Sequence, residues 1–157
     1  MKIHLKTPLG IAKISGSKEG ISEIKILEDT QQLTSDVPGE LLPAVEQLEA
    51  YFRGELKDFN LKLNLEGTEF QKKVWNALLK IPYGTTVSYL ELSKQLGDVK
   101  AIRAVASANG KNPLWIVVPC HRVIGSDGSL TGYAGGLHRK KWLLEHEGVL
   151  TQQSLFN

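Results

Sequence analysis

Apolar and polar positions along the chain change rhythm as it proceeds. Over residues 1–30 β-branched residues alternate with polar ones. Ile11-Ala12-Lys13-Ile14 and Ile21-Ser22-Glu23-Ile24-Lys25-Ile26 flank the turn-rich Gly16-Ser17-Lys18-Glu19-Gly20. This period of two predicts a small antiparallel sheet, with Ile24 and Ile26 on its dry face and Glu23 and Lys25 on its wet one. Residues 29–39 are polar and loop-like. The spacing then turns helical: Leu41, Val45, Leu48 and Phe52 form the stripe of a helix that starts near Leu42, carries Pro43 in its first turn and ends at Gly54. Residues 55–67 are polar and read as a connection. Thr68-x-x-Gln71 is a capping box, followed by Phe70, Val74, Ala77, Leu78 and Ile81 at helical spacing and a stop at Pro82-Tyr83-Gly84.

From 85 to 112 the pattern is helix, turn, helix. Ser88-x-x-Glu91 is a second capping box, with Leu90, Leu92 and Leu96 behind it and Gly97 as the stop. The next helix, about 100–109, is built of Ala101, Ala104, Ala106, Ser107 and Ala108, with Arg103 as its long charged side chain. Such a helix approaches another surface closely, whether a second helix or DNA, and pattern alone leaves both open. The turn Asn109-Gly110-Lys111-Asn112-Pro113 leads to Ile116-Val117-Val118, which predicts a short buried strand ended by Pro119. After the turn Ser126-Asp127-Gly128-Ser129 comes a glycine-rich loop, Thr131-Gly132-Tyr133-Ala134-Gly135-Gly136, without the Gly-Lys-Ser/Thr of a phosphate loop. A last helix over about 137–147 carries Trp142, Leu143 and Leu144 and is capped by Gly148; the tail from Thr151 to Asn157 reads as frayed. The fold class is α/β in two lobes: residues 1–66 form a small antiparallel sheet with a helix, and residues 67–157 a mostly helical lobe containing the helix-turn-helix.

Composition narrows the chemistry. A net charge of +2 permits nucleic-acid binding without demanding it. Cys120 is the single cysteine, which excludes an intrachain disulfide and any cysteine-cluster zinc site and suits a reducing compartment. No apolar run approaches membrane-spanning length, and Met1-Lys2-Ile3-His4 lacks the apolar segment of a signal peptide, so the expected location is the cytoplasm, or the nucleoid if the protein binds DNA. Cys120 itself stands between Pro119 and His121-Arg122. A lone cysteine usually serves as a small buried hydrophobe. Beside a base and a positive charge it is also a candidate nucleophile. On extended backbone Cys120 and His121 would face opposite ways, so a bend or a bridging water is needed to join them.

Pro119-Cys120-His121-Arg122-Val123 resembles the active-site signature of the O6-alkylguanine-DNA alkyltransferases, also called methylated-DNA–protein-cysteine methyltransferases. The likeness runs from about Gly67 to Gly148 and is looser before it. It implies that Cys120 accepts the alkyl group from guanine, and from O4-alkylthymine as well. It further implies that His121 draws the Cys120 proton through a water, that Glu147 orients His121, and that Asn112 ties its turn to the active-site strand. Tyr89, Trp115, Tyr133, Ala134 and Gly135 would border the extruded base. Tyr89, Ala101, Arg103, Ala104 and Ser126 would meet duplex DNA in the minor groove, with Arg103 entering the stack and Tyr89 pressing on the adjacent phosphate. A base atom inside the duplex is out of reach, hence the extrusion. The resemblance implies a monomer acting once per molecule, with no cofactor; relatives that hold zinc do so through N-terminal cysteines absent here. Two rival readings are a non-repairing lesion sensor and a cysteine hydrolase using Cys120, His121 and Asn112. Ala106-Ser107 and Trp115 depart from the family pattern, and Trp115 either narrows the alkyl pocket or packs into a core.

Overall fold

The computed structural model describes residues 1–149; the tail expected to fray lies outside them. Backbone contacts divide the chain into two units. The first comprises residues 1–66 with Pro113–Trp115, and the second residues 67–112 with the chain from Ile116 onward.

In the first unit three strands, β1 (Lys2–Thr7), β2 (Gly10–Ser17) and β3 (Gly20–Leu27), form an antiparallel meander in the order β1-β2-β3. Ala12, Ile14, Ile24 and Ile26 are buried on one face, as the alternation requires, while Glu23 pairs with Lys13 on the other. Two segments add to the outer edge of β3 by parallel bridges, Leu63 opposite Ile21 and Leu114 opposite Ile24. Pro113 O accepts from Ile24 N at 2.8 Å and Trp115 N donates to Ile24 O at 2.9 Å. Helix α1 (Leu42–Phe52) begins with Pro43 in its first turn and buries Ala44, Val45, Leu48 and Tyr51. Tyr51, three residues on from Leu48, is the buried residue that completes the stripe, and Phe52 packs edge-on against its ring.

The second unit opens with α2 (Glu69–Leu78), where the Thr68–Gln71 capping box is formed in both directions. Val74, Trp75 and Leu78 are its buried residues and Phe70 is exposed, so the stripe is rotated from the one expected. Trp75 fixes that rotation, since its indole Nε1 donates to Ala108 O at 2.8 Å. A two-residue strand β4 (Val87–Ser88) leads into α3 (Tyr89–Gln95), again started by a complete capping box, Ser88 with Glu91. Gly97 turns the chain at φ 89°, a conformation that disfavours a side chain. A single 3-10 turn, Val99–Ala101, then precedes α4 (Ile102–Gly110), which packs on α2 and α3. The helix-turn-helix is thus present.

The strand expected at Ile116–Val118 is not. These residues form a buried turn, with Ile116 at φ 75°, an unusual conformation for a β-branched residue. A short apolar run reads the same whether it is strand or buried turn. Past Pro119 come a 3-10 turn, Cys120–Arg122, and the strand β5 (Val123–Ile124), paired in parallel with β4. Helix α5 (Leu137–His146) closes the described chain and buries Arg139, Lys140, Leu143 and Leu144.

Candidate active site

The turn Cys120–Arg122 places three neighbouring side chains in three directions. Pro119 lacks an N–H, and the preceding carbonyl, Val118 O, is held twice, by Cys120 N at 2.8 Å and by Asn112 Nδ2 at 2.7 Å. A 3-10 turn separates successive side chains by about 120°, whereas a strand would have sent them to opposite faces. Cys120 reaches the wall of a cavity, while His121 and Arg122 meet Glu147.

Glu147 is the C-cap residue of α5 and is buried. Its Oε2 lies 2.7 Å from His121 Nε2 and accepts from Arg122 Nη2 at 3.0 Å; Oε1 accepts from Arg122 Nε at 2.8 Å. The guanidinium is anchored further by Nη1 donating to Ile81 O at 2.7 Å. Burial alone would raise the Glu147 pKa, but the hydrogen bonds and charges of His121 and Arg122 outweigh it and bring it down to about 2. A carboxylate that only accepts makes His121 the donor at Nε2, so Nδ1 carries the lone pair. That Nδ1 is buried and has no hydrogen-bond partner among the described residues. Burial lowers the His121 pKa despite Glu147, and the imidazole is neutral at physiological pH. Burial also pushes the Cys120 thiol up to about 11, against the opposing pull of Asn112 and Lys140. The resting pair is therefore a thiol and a neutral base, not an ion pair.

The cavity beside Cys120 measures about 570 Å³, a size suited to a small organic ligand. Tyr89 and the α4 residues Ile102, Arg103, Ala106 and Asn109 form one side, and Thr131 to Ala134 of the glycine-rich loop the other. Tyr89 donates its hydroxyl to Thr131 O at 3.0 Å. Lys140, fully buried, donates to Val123 O at 2.6 Å, Thr131 O at 3.0 Å and Gly132 O at 3.1 Å, fixing the loop to β5. Its pKa falls to about 8 through burial.

Of the residues singled out in the sequence, the structure brings Cys120, Tyr89, Arg103, Tyr133 and Ala134 to one cavity, and His121 and Glu147 to one network. Gly135 is buried outside the cavity lining, its carbonyl accepting from Arg139. Trp115 does not line the cavity; its backbone pairs with β3. Ala101 ends the 3-10 turn before α4, Ala104 is exposed on α4, and Ser126 is exposed in its turn. Three residues went unread. Arg122 looked like a source of potential and is the second clamp on Glu147. Asn109 looked like a turn residue and is a buried part of the cavity wall. Lys140 sits in the charged run His138-Arg139-Lys140-Lys141; its spacing of three and four from Leu143 and Leu144 is the signal that places it on the buried face. Among the described residues no group of His, Cys, Asp and Glu is arranged to hold a metal ion.

Comparison with known proteins defines the class. Residues 2–65 match the 6-O-methylguanine DNA methyltransferase ribonuclease-like domain, and residues 69–149 the DNA binding domain of the same family. A methylated-DNA–protein-cysteine methyltransferase from Mycobacterium bovis is 50% identical over 153 residues, 92% of each chain, and one from Methanosarcina acetivorans is 49% identical over 150 residues, 91% of this chain and 95% of its own. The crystal structure of the Mycobacterium tuberculosis O6-methylguanine methyltransferase covers 99% of this chain and 98% of its own, with a TM-score of 0.84 and 46% identity; the DNA complex of that organism's protein gives 0.85 at 45%, covering 99% of both chains. The chain belongs to the 6-O-methylguanine DNA methyltransferase family.

Proposed function

We propose that this protein repairs DNA by direct reversal, moving the alkyl group of O6-alkylguanine in duplex DNA onto Cys120. The observation that carries this reading is a buried thiol in a cavity wall, backed by a neutral histidine whose other nitrogen is held by an ionised, doubly clamped carboxylate. His121 Nδ1 takes the thiol proton, relayed by a water, as Sγ attacks the alkyl carbon. The S–C bond forms and the C–O6 bond breaks; the electron pair leaves with the guanine, which then takes a proton. Glu147 holds His121 in the tautomer this needs and stabilises the imidazolium that forms, the nucleophile–base–orienter arrangement in general terms. The thioether is stable, so each molecule acts once.

Tyr133 and Ala134 with the α4 face border the base, and Arg103, exposed at the cavity edge, fills the space it leaves in the stack. Ala101 and Ala104 let α4 approach the minor groove, Tyr89 presses on the neighbouring phosphate and Ser126 meets the backbone. The finer reading extends to O4-alkylthymine and to a monomer working in the cytoplasm; no helix among the described residues is long and apolar enough to cross a membrane.

Intact mass with a peptide map, after incubation with a duplex carrying O6-methylguanine, tests this. One methyl on the Cys120 peptide, and none anywhere in Cys120→Ala, is the expected result. Binding without any gain of mass would make the protein a lesion sensor. Repeated turnover of an ester or amide would make it a hydrolase.

A further inference from the structure

We infer that Tyr83 is a positioning residue for the alkyl transfer: its ring closes the Arg122–Glu147 pair off from water and so keeps Glu147 committed to His121. This rests on Cys120, His121 and Glu147 acting together as proposed above.

Pro82-Tyr83-Gly84 is the stop that follows α2, and the reaction as described makes no use of it. In the structure this turn runs along the end of α5. Thr85 closes it, its N–H and its hydroxyl both donating to Pro82 O, at 3.2 and 2.8 Å. Three residues of the segment meet the Glu147 clamp or the helix end that carries it. Ile81 O accepts from Arg122 Nη1 at 2.7 Å. Gly84, at φ 78°, comes so near that a Cβ there would stand 3.5 Å from Glu147 O. Tyr83 makes two contacts. The Arg122 guanidinium lies over its ring, 5.7 Å from the centroid, and its hydroxyl donates at a long 3.4 Å to His146 O, one residue before Glu147.

Exposure puts the ring at a boundary. Tyr83 is half-buried, whereas the Arg122 side chain is 7% exposed and that of Glu147 0%. An aromatic face attracts a guanidinium without accepting its N–H groups in plane, so those stay on Glu147 and Ile81. Water in that place would compete for the N–H groups and raise the local dielectric, weakening the pair. Glu147 Oε2 serves both Arg122 Nη2 and His121 Nε2, so whatever loosens the guanidinium loosens the anchor of the histidine. His121 is faced by Glu147 and Lys140 from α5 and by Arg122 from its own turn, and Glu147 is faced in addition by Tyr83. Burial is the largest influence on His121 and keeps it neutral. Wetting its carboxylate partner relieves that burial and moves its protonation up towards the ordinary 6.5.

The test is single-turnover methyl transfer from a duplex carrying O6-methylguanine, followed from about pH 5 to pH 8 in the wild type, Tyr83→Phe and Tyr83→Ala, with folding checked by thermal melting. Phe keeps the ring and should stay within about twofold of the wild type at every pH. Ala should be slower by about tenfold near neutral pH, and its acid limb should rise by about half a pH unit. If Ala does not fold, Tyr83→Gln takes its place with the same expectation, since its amide oxygen competes for the guanidinium as water would. A folded Ala or Gln variant with the wild-type rate and profile would overturn the inference. So would a rate lowered by one factor at every pH with the acid limb unmoved, which is the behaviour of a residue serving the fold alone. A Phe variant that behaves like Ala would overturn it too, by placing the effect in the hydroxyl. In each of these cases the wild type still gains its methyl; a wild type that gains none would instead refute the alkyl-transfer reading itself.

Discussion

Glu147 shows how one residue can serve the fold and, in the proposed reaction, the chemistry as well. Its carboxylate is paired and buried, so Glu147→Ala leaves the buried Arg122 guanidinium without its counter-charge, held only by Ile81 O and the Tyr83 ring, and should destabilise the protein by about 3–5 kcal/mol, measured by urea denaturation. The same pairing sets a pH dependence. The folded pKa, about 2, is below the ordinary 4.5, so the stabilisation is complete above about pH 4.5 and is lost as pH falls towards 2. Stability measured across that interval should fall by about 3 kcal/mol from this group in the wild type, and the fall should be shallower in Glu147→Gln. His121 gives a second signature. Only the neutral imidazole can take a proton, and its pKa is held below the usual 6.5. Methyl transfer should therefore keep its rate as pH drops from 7.5 through 6.5 and fail only in more acidic buffer, checked by a single-turnover pH profile. That His121 and Glu147 meet was legible only through the family resemblance carried by the signature around Cys120, since the letters near Glu147 read as a surface acid at a helix end. Arg122 and Asn109 were not, since what distinguishes them is burial and orientation, which adjacent letters do not encode.

Helices announced themselves more clearly than turns. Both capping boxes, Thr68–Gln71 and Ser88–Glu91, were readable from spacing and are formed at α2 and α3, because a side chain three residues from its partner backbone meets it whatever the tertiary context. Stripe phase was harder: Phe70 and Phe52 look like core residues until Trp75 and Tyr51 take those places. The apolar run before Cys120 deceived for a different reason, since burial on all sides removes the periodicity that separates strand from turn. Helix α4 carries the prediction at this scale. Arg103 is exposed at the cavity edge, so Arg103→Ala should cost more than about tenfold in repair of duplex DNA yet leave reaction with the free alkylguanine base within about twofold, since a free base leaves no gap in a stack. Equal losses would place Arg103 in the chemistry. Trp115 points the other way. Its segment belongs to the sheet, so Trp115→Ala should lower the melting temperature while leaving the ratio of debenzylation to demethylation unchanged, read as a pair of second-order rates.

For the molecule as a whole, charge is modest: 19 basic against 17 acidic side chains, and in the basic run Arg139-Lys140-Lys141 the first two members are buried. Few phosphate contacts imply a shallow decline of affinity with salt, and a titration of duplex binding from 50 to 200 mM salt should show a loss well short of the roughly 1000-fold typical of strongly basic binders. Division near residue 66 could be read from composition. The return of Pro113–Trp115 to the sheet could not, because nothing local marks three residues as belonging to a strand edge ninety positions earlier. That return bears on how the chain is made. Synthesis delivers β3 long before residue 113, so half of the outer edge of β3 waits, through the whole of α2, α3 and α4, for the segment that will cover it. An exposed strand edge is a template for unwanted pairing. A ribosome stalled anywhere between residues 66 and 112 would hold out an unfinished sheet, and nascent chains of that length are the ones that should need a chaperone.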